Sequence, residues 1–454
     1  MKVLLINNKM NLPGQPLVAP IGLLYLVSTL KKNNICVKIL DHNVENISVK
    51  ECLMDFVPDL VGIGCCFSGH ITETLDNARQ VKAYANVPVV IGGIHPTIYY
   101  KDIMKNCPEI DYIILGEGEI SLLKLCNYIQ KNDINIIQQI NGIVYRAHNN
   151  DVVVNTKTKY IENVSDLPWP DYKCINIKNY YYDTSNWHNP KRLNINTSLP
   201  IISSRSCPMQ CNFCSMYILM GKKIRKRNPY DVVNEIEYLY NEYDHRYFSF
   251  YDDNVNLDRR HILTICSEIK KRKLNIQFDT PNGVHVNSLD EEVVEALVSS
   301  GLVRVSLAIE HGSEYIRNKI MGKNLSTEKI YSVVNMCKKY HDLYIRTFFI
   351  MGMPEDTRET LQKTYEMIEI MDIDKPIVTN VVPFPGTKLF DQCIRDNIIV
   401  GVNVEDLWRN PDAYFTGNKQ FFVKPYNMTM EELIFFRNKF DLLISQKLDR
   451  SRNL

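Results

Sequence analysis

Short apolar runs recur along most of this chain, each separated from the next by a helix-length amphipathic stretch, and this alternation restricts the possible folds more than any other feature. In the first third the runs are KVLLINN (2–8), CVKILD (36–41), DLVGIGC (59–65), VPVVIG (87–92) and DYIIL (111–115). They lack the polar alternation of a half-exposed strand, so both faces are buried, and such strands linked by helices predict an α/β fold with a doubly wound parallel sheet. In the middle of the chain six further runs, 200–206, 246–254, 274–283, 302–313, 343–357 and 375–387, repeat the rhythm with no antiparallel signature. They predict a curved or partly closed parallel (β/α)6 barrel, with function collected at the carboxyl ends of its strands.

The flanking segments are less regular. The Pro/Gly-rich loop 11–20 leads into a helix with Pro20 in its first turn, and a helix starting near the capping Ser288 ends at Gly301. QINGIVYRA and DVVVNTK flank His148, Asn149 and Asn150 as a hairpin. Leu167 to Tyr172, with two prolines around Trp169, reads as a stiff connector. The aromatic run 179–189 suits either packing or the mouth of a site. From about Lys388 the rhythm stops; 394–428 is mixed, with Trp408, Tyr414 and Phe415, and a last helix begins at the capping box of Thr429 and Glu432. The expected divisions are 1–138, a hairpin and linker at 139–199, a barrel at 200–390 and a mixed C-terminal extension at 391–454.

Lys plus Arg total 53 against 52 for Asp plus Glu, a net charge of +1, which points away from nucleic acid or an anionic membrane as partner. No run reaches the roughly 20 apolar residues of a membrane span, and the N-terminal run is short for a signal peptide, so a cytoplasmic protein without stable membrane insertion is expected. Thirteen cysteines in 454 residues suit a reducing compartment rather than a disulfide scaffold.

Three of those cysteines stand at the exit of the first barrel run: Cys207, Cys211 and Cys214, spaced C-x3-C-x2-C on a segment where Pro208 and Asn212 favour loop. Thiolates this close on a loop can converge on one inorganic centre. With no histidine nearby until His245, a tetrahedral zinc site is one ligand short, whereas a [4Fe-4S] cluster with one open iron fits. A zinc site completed from afar, a redox pair with a spare, or buried filler are the competing readings. The glycines at the ends of the fourth and fifth runs, Gly92-Gly93 and Gly116-Glu117-Gly118, permit close backbone approach by a large ligand, though glycine turns also close many α/β units that bind nothing.

The cysteine loop, with Phe213 directly before the last cysteine, resembles that of the radical S-adenosylmethionine (radical SAM) enzymes. The preceding α/β segment is similar to the Rossmann-like cobalamin-binding domain of one large subgroup. The resemblance covers most of residues 1–390. It implies that Cys207, Cys211 and Cys214 hold a [4Fe-4S] cluster whose open iron binds SAM, and that an electron from the cluster cleaves SAM to a 5′-deoxyadenosyl radical. It places Asp252 and Asp253 near the SAM amino group, Ser306 and Glu310 near its ribose or methionyl part, and Phe213, Gly352 and Pro354 beside its adenine. For Glu310 a salt bridge to a nearby lysine or arginine is the plain structural reading. Ser68, Thr72, Gly92, Gly93, Gly116, Glu117 and Gly118 would surround cobalamin. One departure is that D-x-H-x-x-G is absent: Asp41, His42 and Asn43 are adjacent, and His42, His70 and His95 are each expected as loop surface residues.

The resemblance implies a cobalamin-dependent enzyme that methylates an unactivated carbon of a small-molecule or lipid substrate and draws on an external electron donor such as flavodoxin or ferredoxin. Cyclisation, rearrangement or oxidation with a vestigial cobalamin domain is the alternative; a non-catalytic metal-binding scaffold is the reading of another class. The only cysteines downstream of the loop are the widely separated Cys266, Cys337 and Cys393, which argues against auxiliary clusters, and Cys393 reads as packing.

Overall fold

The computed structural model describes residues 1–9, 17–147, 149–180, 189, 191, 193, 197–410 and 420–452. Most of the loop 11–20, His148, most of the aromatic run 179–189, Tyr414 and Phe415 lie outside the described residues. Contacts divide the chain into two units, one of Met1–Tyr181, Met216–Gly221 and Asn403–Phe415, the other of Tyr182–Ser215, Lys222–Val402 and Thr416–Leu454.

The first unit is built on β1 (Lys2–Asn7), β2 (Cys36–Asp41), β3 (Leu60–Gly64), β4 (Val89–Gly92) and β5 (Tyr112–Ile114), in the order β2-β1-β3-β4-β5 and all parallel. Helices α1 (Ile21–Lys32), α2 (Val49–Phe56), α3 (Ile71–Tyr84), α4 (Ile94–Asn106) and α5 (Glu119–Lys131) follow the strands in turn, with a short α6 (Ile134–Gln138) after them. Val3, Leu4, Leu5 and Ile6 are at most 1% exposed, so successive side chains on both faces of β1 are buried and the sheet is covered on both sides. α2 starts in a capping box between Ser48 and Glu51. The hairpin forms as β6 (Ile143–Arg146) and β7 (Val152–Val154). β6 also pairs antiparallel with β5, so the hairpin continues the sheet to seven strands instead of standing apart.

In the second unit β8 (Leu199–Ile201) is followed by a two-residue ribbon of β9 (Ser204–Arg205) against β10 (Arg225–Lys226); in sequence the cysteine loop and the short α7 (Met216–Met220), which belongs to the first unit, lie between β9 and β10. Then come α8 (Pro229–Tyr243), β11 (Tyr247–Phe250), α9 (Arg259–Lys271), β12 (Gln277–Asp279), α10 (Glu291–Ser299), β13 (Leu302–Glu310), α11 (Thr327–Lys338), β14 (Tyr344–Met351), α12 (Arg358–Ile370), β15 (Lys375–Asn380) and α13 (Lys388–Arg395). The six strands pair in parallel in the order β15-β14-β13-β12-β11-β8, with β8 and β15 at opposite edges, as a partial (β/α)6 barrel requires.

Three expectations need correction. α10 is capped by Asp290, whose side chain accepts from Val293 N, because Ser288 Oγ is instead 2.9 Å from His285 Nδ1. The βα rhythm runs through Arg395, since α13 completes the sixth unit. His95 is 1% exposed and not a surface residue. The terminal α14 (Met430–Arg452) begins where expected: Thr429 N donates to Glu432 Oε2 at 2.8 Å and Glu432 N to Thr429 Oγ1 at 3.3 Å. Among the described residues no helix is long and apolar enough to cross a membrane.

Candidate functional site

The cysteine loop leaves β8 through Ser203 to Ser206, and two aspartates fasten its base. Asp252 Oδ1 accepts from the hydroxyls of Ser203 at 2.7 Å and Ser204 at 2.6 Å, and its Oδ2 from Ser203 N at 3.1 Å. Asp253 Oδ2 accepts from Ser206 N at 2.9 Å. Burial, with the neighbouring Asp252 carboxylate, pushes Asp253 up to about 6. Both carboxylates therefore bind the backbone or hydroxyls that aim the loop. Behind them Arg227 donates to Ile202 O at 3.0 Å and pairs with the buried Glu235 at 2.5 Å, tying the end of β8 to α8.

Beyond Ser206, φ of +72° at Ser206 and +48° at Gln210 turns the chain without glycine. Asn212 pins the far side: its N–H donates to Met321 O at 3.0 Å and its carbonyl accepts from Leu389 N at 3.1 Å. Phe213 packs on an apolar cluster that contains Met321, Met353 and Leu389, so the structure brings Phe213 and the 352–354 turn together. None of the three cysteines is in a disulfide, and Cys214 N donates to Cys211 O at 3.0 Å. Asn254 aims its amide at Cys207 Sγ from 3.9 Å. Burial raises the Cys211 pKa, Lys323 opposes this, and Glu310 and Cys207 add to it. Among the described residues no three His, Cys, Asp or Glu side chains stand ready-made around a metal. The donor chemistry is nonetheless that of an iron–sulfur site, with three cysteines outside any disulfide on one loop and an amide donor directed at a sulfur.

Glu310 closes β13 at φ +75°, next to a shift of register with β14. Its Oε1 accepts from Lys323 Nζ at 2.8 Å, with 10% and 12% side-chain exposure respectively, which is the salt bridge anticipated on plain structural grounds. Sequence reading missed Lys323, which reaches the site through a π-helical turn, Ile316–Ile320. Arg317 in that turn is fully buried and donates to the carbonyls of His311 at 2.5 Å and Leu325 at 2.7 Å. Ser306 lies deeper on the same strand and accepts from Arg346 Nε at 3.0 Å.

The 352–354 turn hangs from another missed residue, the fully buried Asp356. Its Oδ2 accepts from Gly352 N and Met353 N, both at 2.9 Å, and its Oδ1 from Thr360 Oγ1 at 2.7 Å. His311 Nδ1 accepts from Ser313 N at 2.9 Å, which places the ring proton on Nε2, where it donates to Asp356 Oδ1 at 3.0 Å. The signal was an acid four residues after a strand-ending glycine, and Gly352 has φ +87°. Pro354 O accepts from Tyr426 N at 2.8 Å.

In the first unit the expected loops meet over the carboxyl ends of β3, β4 and β5. A Cβ at Gly93 (φ +119°) would lie 2.3 Å from Cys65 O, so only glycine lets these two loops touch. Thr97 Oγ1 donates to Gly93 O at 2.7 Å and accepts from Gly116 N at 3.0 Å, linking the glycine turns after β4 and β5. Ser68 Oγ is 3.0 Å from His95 Nδ1, and His95 Nε2 is 2.9 Å from Trp408 O. Both ring nitrogens are thus engaged, and burial pushes the imidazole down to about 4. Gly92 ends β4 and Gly118 precedes α5, whereas the Glu117 carboxylate is directed to Ile161 N at 3.0 Å and Thr72 is exposed in the first turn of α3. A glycine-lined sheet edge with Phe67 57% exposed beside it fits a large planar ligand.

Comparison with known proteins decides between the open readings. Residues 201–368 match the model of the radical SAM superfamily, and residues 15–125 match that of the B12 binding domain. The chain carries a radical SAM domain behind a B12-binding domain. An uncharacterized methyltransferase, PH0819, of Pyrococcus horikoshii is 29% identical to this chain over 401 residues, covering 86% of this chain and 81% of the relative. The anaerobic magnesium-protoporphyrin IX monomethyl ester cyclase of Rubrivivax gelatinosus is 27% identical over 402 residues, covering 86% and 70%. Among solved structures, the radical SAM methyltransferase TsrM of Kitasatospora setae, with cobalamin and a [4Fe-4S] cluster bound, superposes with a TM-score of 0.71 at 19% identity, covering 89% of this chain and 76% of that one. At that identity the likeness speaks for the fold.

Proposed function

We propose that this chain is a cobalamin-dependent radical SAM enzyme that methylates an unactivated carbon of a small-molecule substrate. The observation that carries the reading is a B12-binding segment at 15–125 and a radical SAM segment at 201–368 in one chain. When bound, the cluster supplies the electron that splits SAM and cobalamin carries the methyl group. The chain's own part is positioning. Cys207, Cys211 and Cys214 ligate the cluster, Asp252 and Asp253 hold the loop base, and Phe213, Ser306, Glu310, Gly352 and Pro354 surround SAM. Ser68, Thr72, Gly92, Gly93, Gly116, Glu117 and Gly118 frame cobalamin. The reading assigns 1–138 to cobalamin, 139–199 to the linker, 200–390 to radical chemistry and 391–454 to an extension. It sets the protein in an anaerobic cytoplasm with a flavodoxin or ferredoxin as electron donor.

Anaerobically reconstituted protein is expected to carry about four irons per chain and to form 5′-deoxyadenosine from SAM and reductant. Cys214→Ala should abolish that product; unchanged product would sink the assignment. Corrin absorbance should survive desalting, and a protein that lacks corrin bands yet still cleaves SAM would remove cobalamin from the reading. The similarity to a cyclase favours a second outcome, ring closure. A methylating enzyme releases S-adenosylhomocysteine alongside 5′-deoxyadenosine over repeated turnovers, whereas a cyclase releases 5′-deoxyadenosine without it.

A further inference from the structure

Inside the barrel, Asp279 on β12 and three cations, Arg304 on β13, Arg346 on β14 and Lys375 on β15, stand on successive strands. Val305, Leu307, Ile309, Ile345, Phe349 and Met351 are at most 1% exposed, so that parity of β13 and β14 faces the covering helices. On the other parity, which turns to the lumen, Arg304, Arg346 and Phe348 are half-buried and Ser306 is fully buried. Register sets Ser306 beside Arg346 and Arg346 beside Lys375, with Arg304 one inward step before Ser306 on β13. Asp279 is paired with Arg304, and their side chains form an ion pair. Arg346 donates to Ser306 Oγ at 3.0 Å and to Pro281 O at 2.8 Å, both uncharged acceptors.

Among the described residues Lys375 makes no ion pair; burial, then Arg346 and Arg304, pushes its pKa down. The same burial, with Arg304 adding to it and Asp279 opposing, lowers Arg346 to about 10. Among the described residues, positive charge on these strands thus exceeds the negative charge of Asp279 by two in a partly dehydrated space, and buried charge is tolerated only when a counter-charge is supplied.

We propose that Arg346 and Lys375 are the anion-binding floor of the substrate pocket, taking a carboxylate or phosphate group of a substrate whose apolar body lies along Phe348 and Ile377. The substrate role rests on the proposed radical SAM function; the anion site rests on these residues alone. The four residue steps from Ser306 to Glu310 span about 13 Å, so the substrate reaches from its anionic end to the strand ends with a body of roughly that length.

The full reconstituted chain is titrated calorimetrically with octanoate, octyl phosphate and neutral octanamide. At least one anionic probe is expected to bind about tenfold or more tightly than octanamide, and which one does so separates carboxylate from phosphate. Lys375→Gln should erase the preference and Lys375→Arg restore it. Because Lys375→Gln relieves like-charge repulsion, it should melt no lower than wild type without probe, so the lost preference cannot be misfolding. Equal affinity for the three probes, or a preference that survives Lys375→Gln combined with Arg346→Gln, overturns the site. Displacement of the anionic probe by saturating SAM assigns the cations to SAM and overturns the substrate role. A chain that keeps the anion preference but forms no 5′-deoxyadenosine confirms the site while refuting the radical reaction.

Discussion

Lys323 and Glu310 meet at 2.8 Å with both side chains nearly buried, a setting in which removing one partner is more damaging than removing both. Lys323→Met is expected to lower stability by about 3 kcal/mol, and adding Glu310→Gln to return most of it; urea midpoints of the two single variants and the double variant would measure the coupling, and additive losses would deny it. Glycines separate in the same way. Gly93→Ala forces a Cβ to 2.3 Å from a carbonyl oxygen at φ +119° and should cost roughly 2–4 kcal/mol. Gly22→Ala, on α1 with nothing within 4 Å of the new methyl, should stabilise by about 0.5–1 kcal/mol. At this scale the cysteine spacing was legible because it is local, and a basic partner for Glu310 was legible as a type. Which lysine supplied it was not, since Lys323 lies thirteen residues beyond Glu310 and the intervening segment, with its π-helical turn Ile316–Ile320, had to fold first.

The turn after β14 shows how elements are joined. Asp356 accepts from two backbone amides, a hydroxyl and an imidazole, all at 2.7–3.0 Å. Asp356→Ala strands these donors in a dry interior and should cost about 3 kcal/mol or more. Faster hydrogen exchange at Gly352 and Met353 in that variant is the expected signature, and unchanged protection there would show the turn to be held otherwise. Strand positions were readable from apolar runs, as burial of both faces of β1 shows. Helix starts were less so: Ser288 and Asp290 are both good caps, and a bond from Ser288 to His285, visible only in three dimensions, left the helix to Asp290.

Across the whole molecule, His95 in the first unit and His245 and His261 in the second are buried, and burial pushes each down to about 4. The unfolded chain takes up these protons near 6.5 and the folded chain only near 4, so protons favour unfolding between those values. Stability should be fully present above about pH 6.5 and fall towards pH 4, by at most roughly 3 kcal/mol for each histidine. Urea midpoints across that range check this, and a His95→Gln variant should show a shallower fall; a flat profile in the wild type would contradict it. By itself the sequence determined two parallel α/β sheets in order and a three-thiol loop at a strand exit, because apolar periodicity and residue spacing are local properties. Only the tertiary structure decided that the hairpin extends the first sheet, that Trp408 returns to cap His95, that Asp252 serves serines, and that Arg346 and Lys375 share the lumen. Those outcomes depend on strand register and on contacts between residues far apart in the chain, which no local pattern encodes.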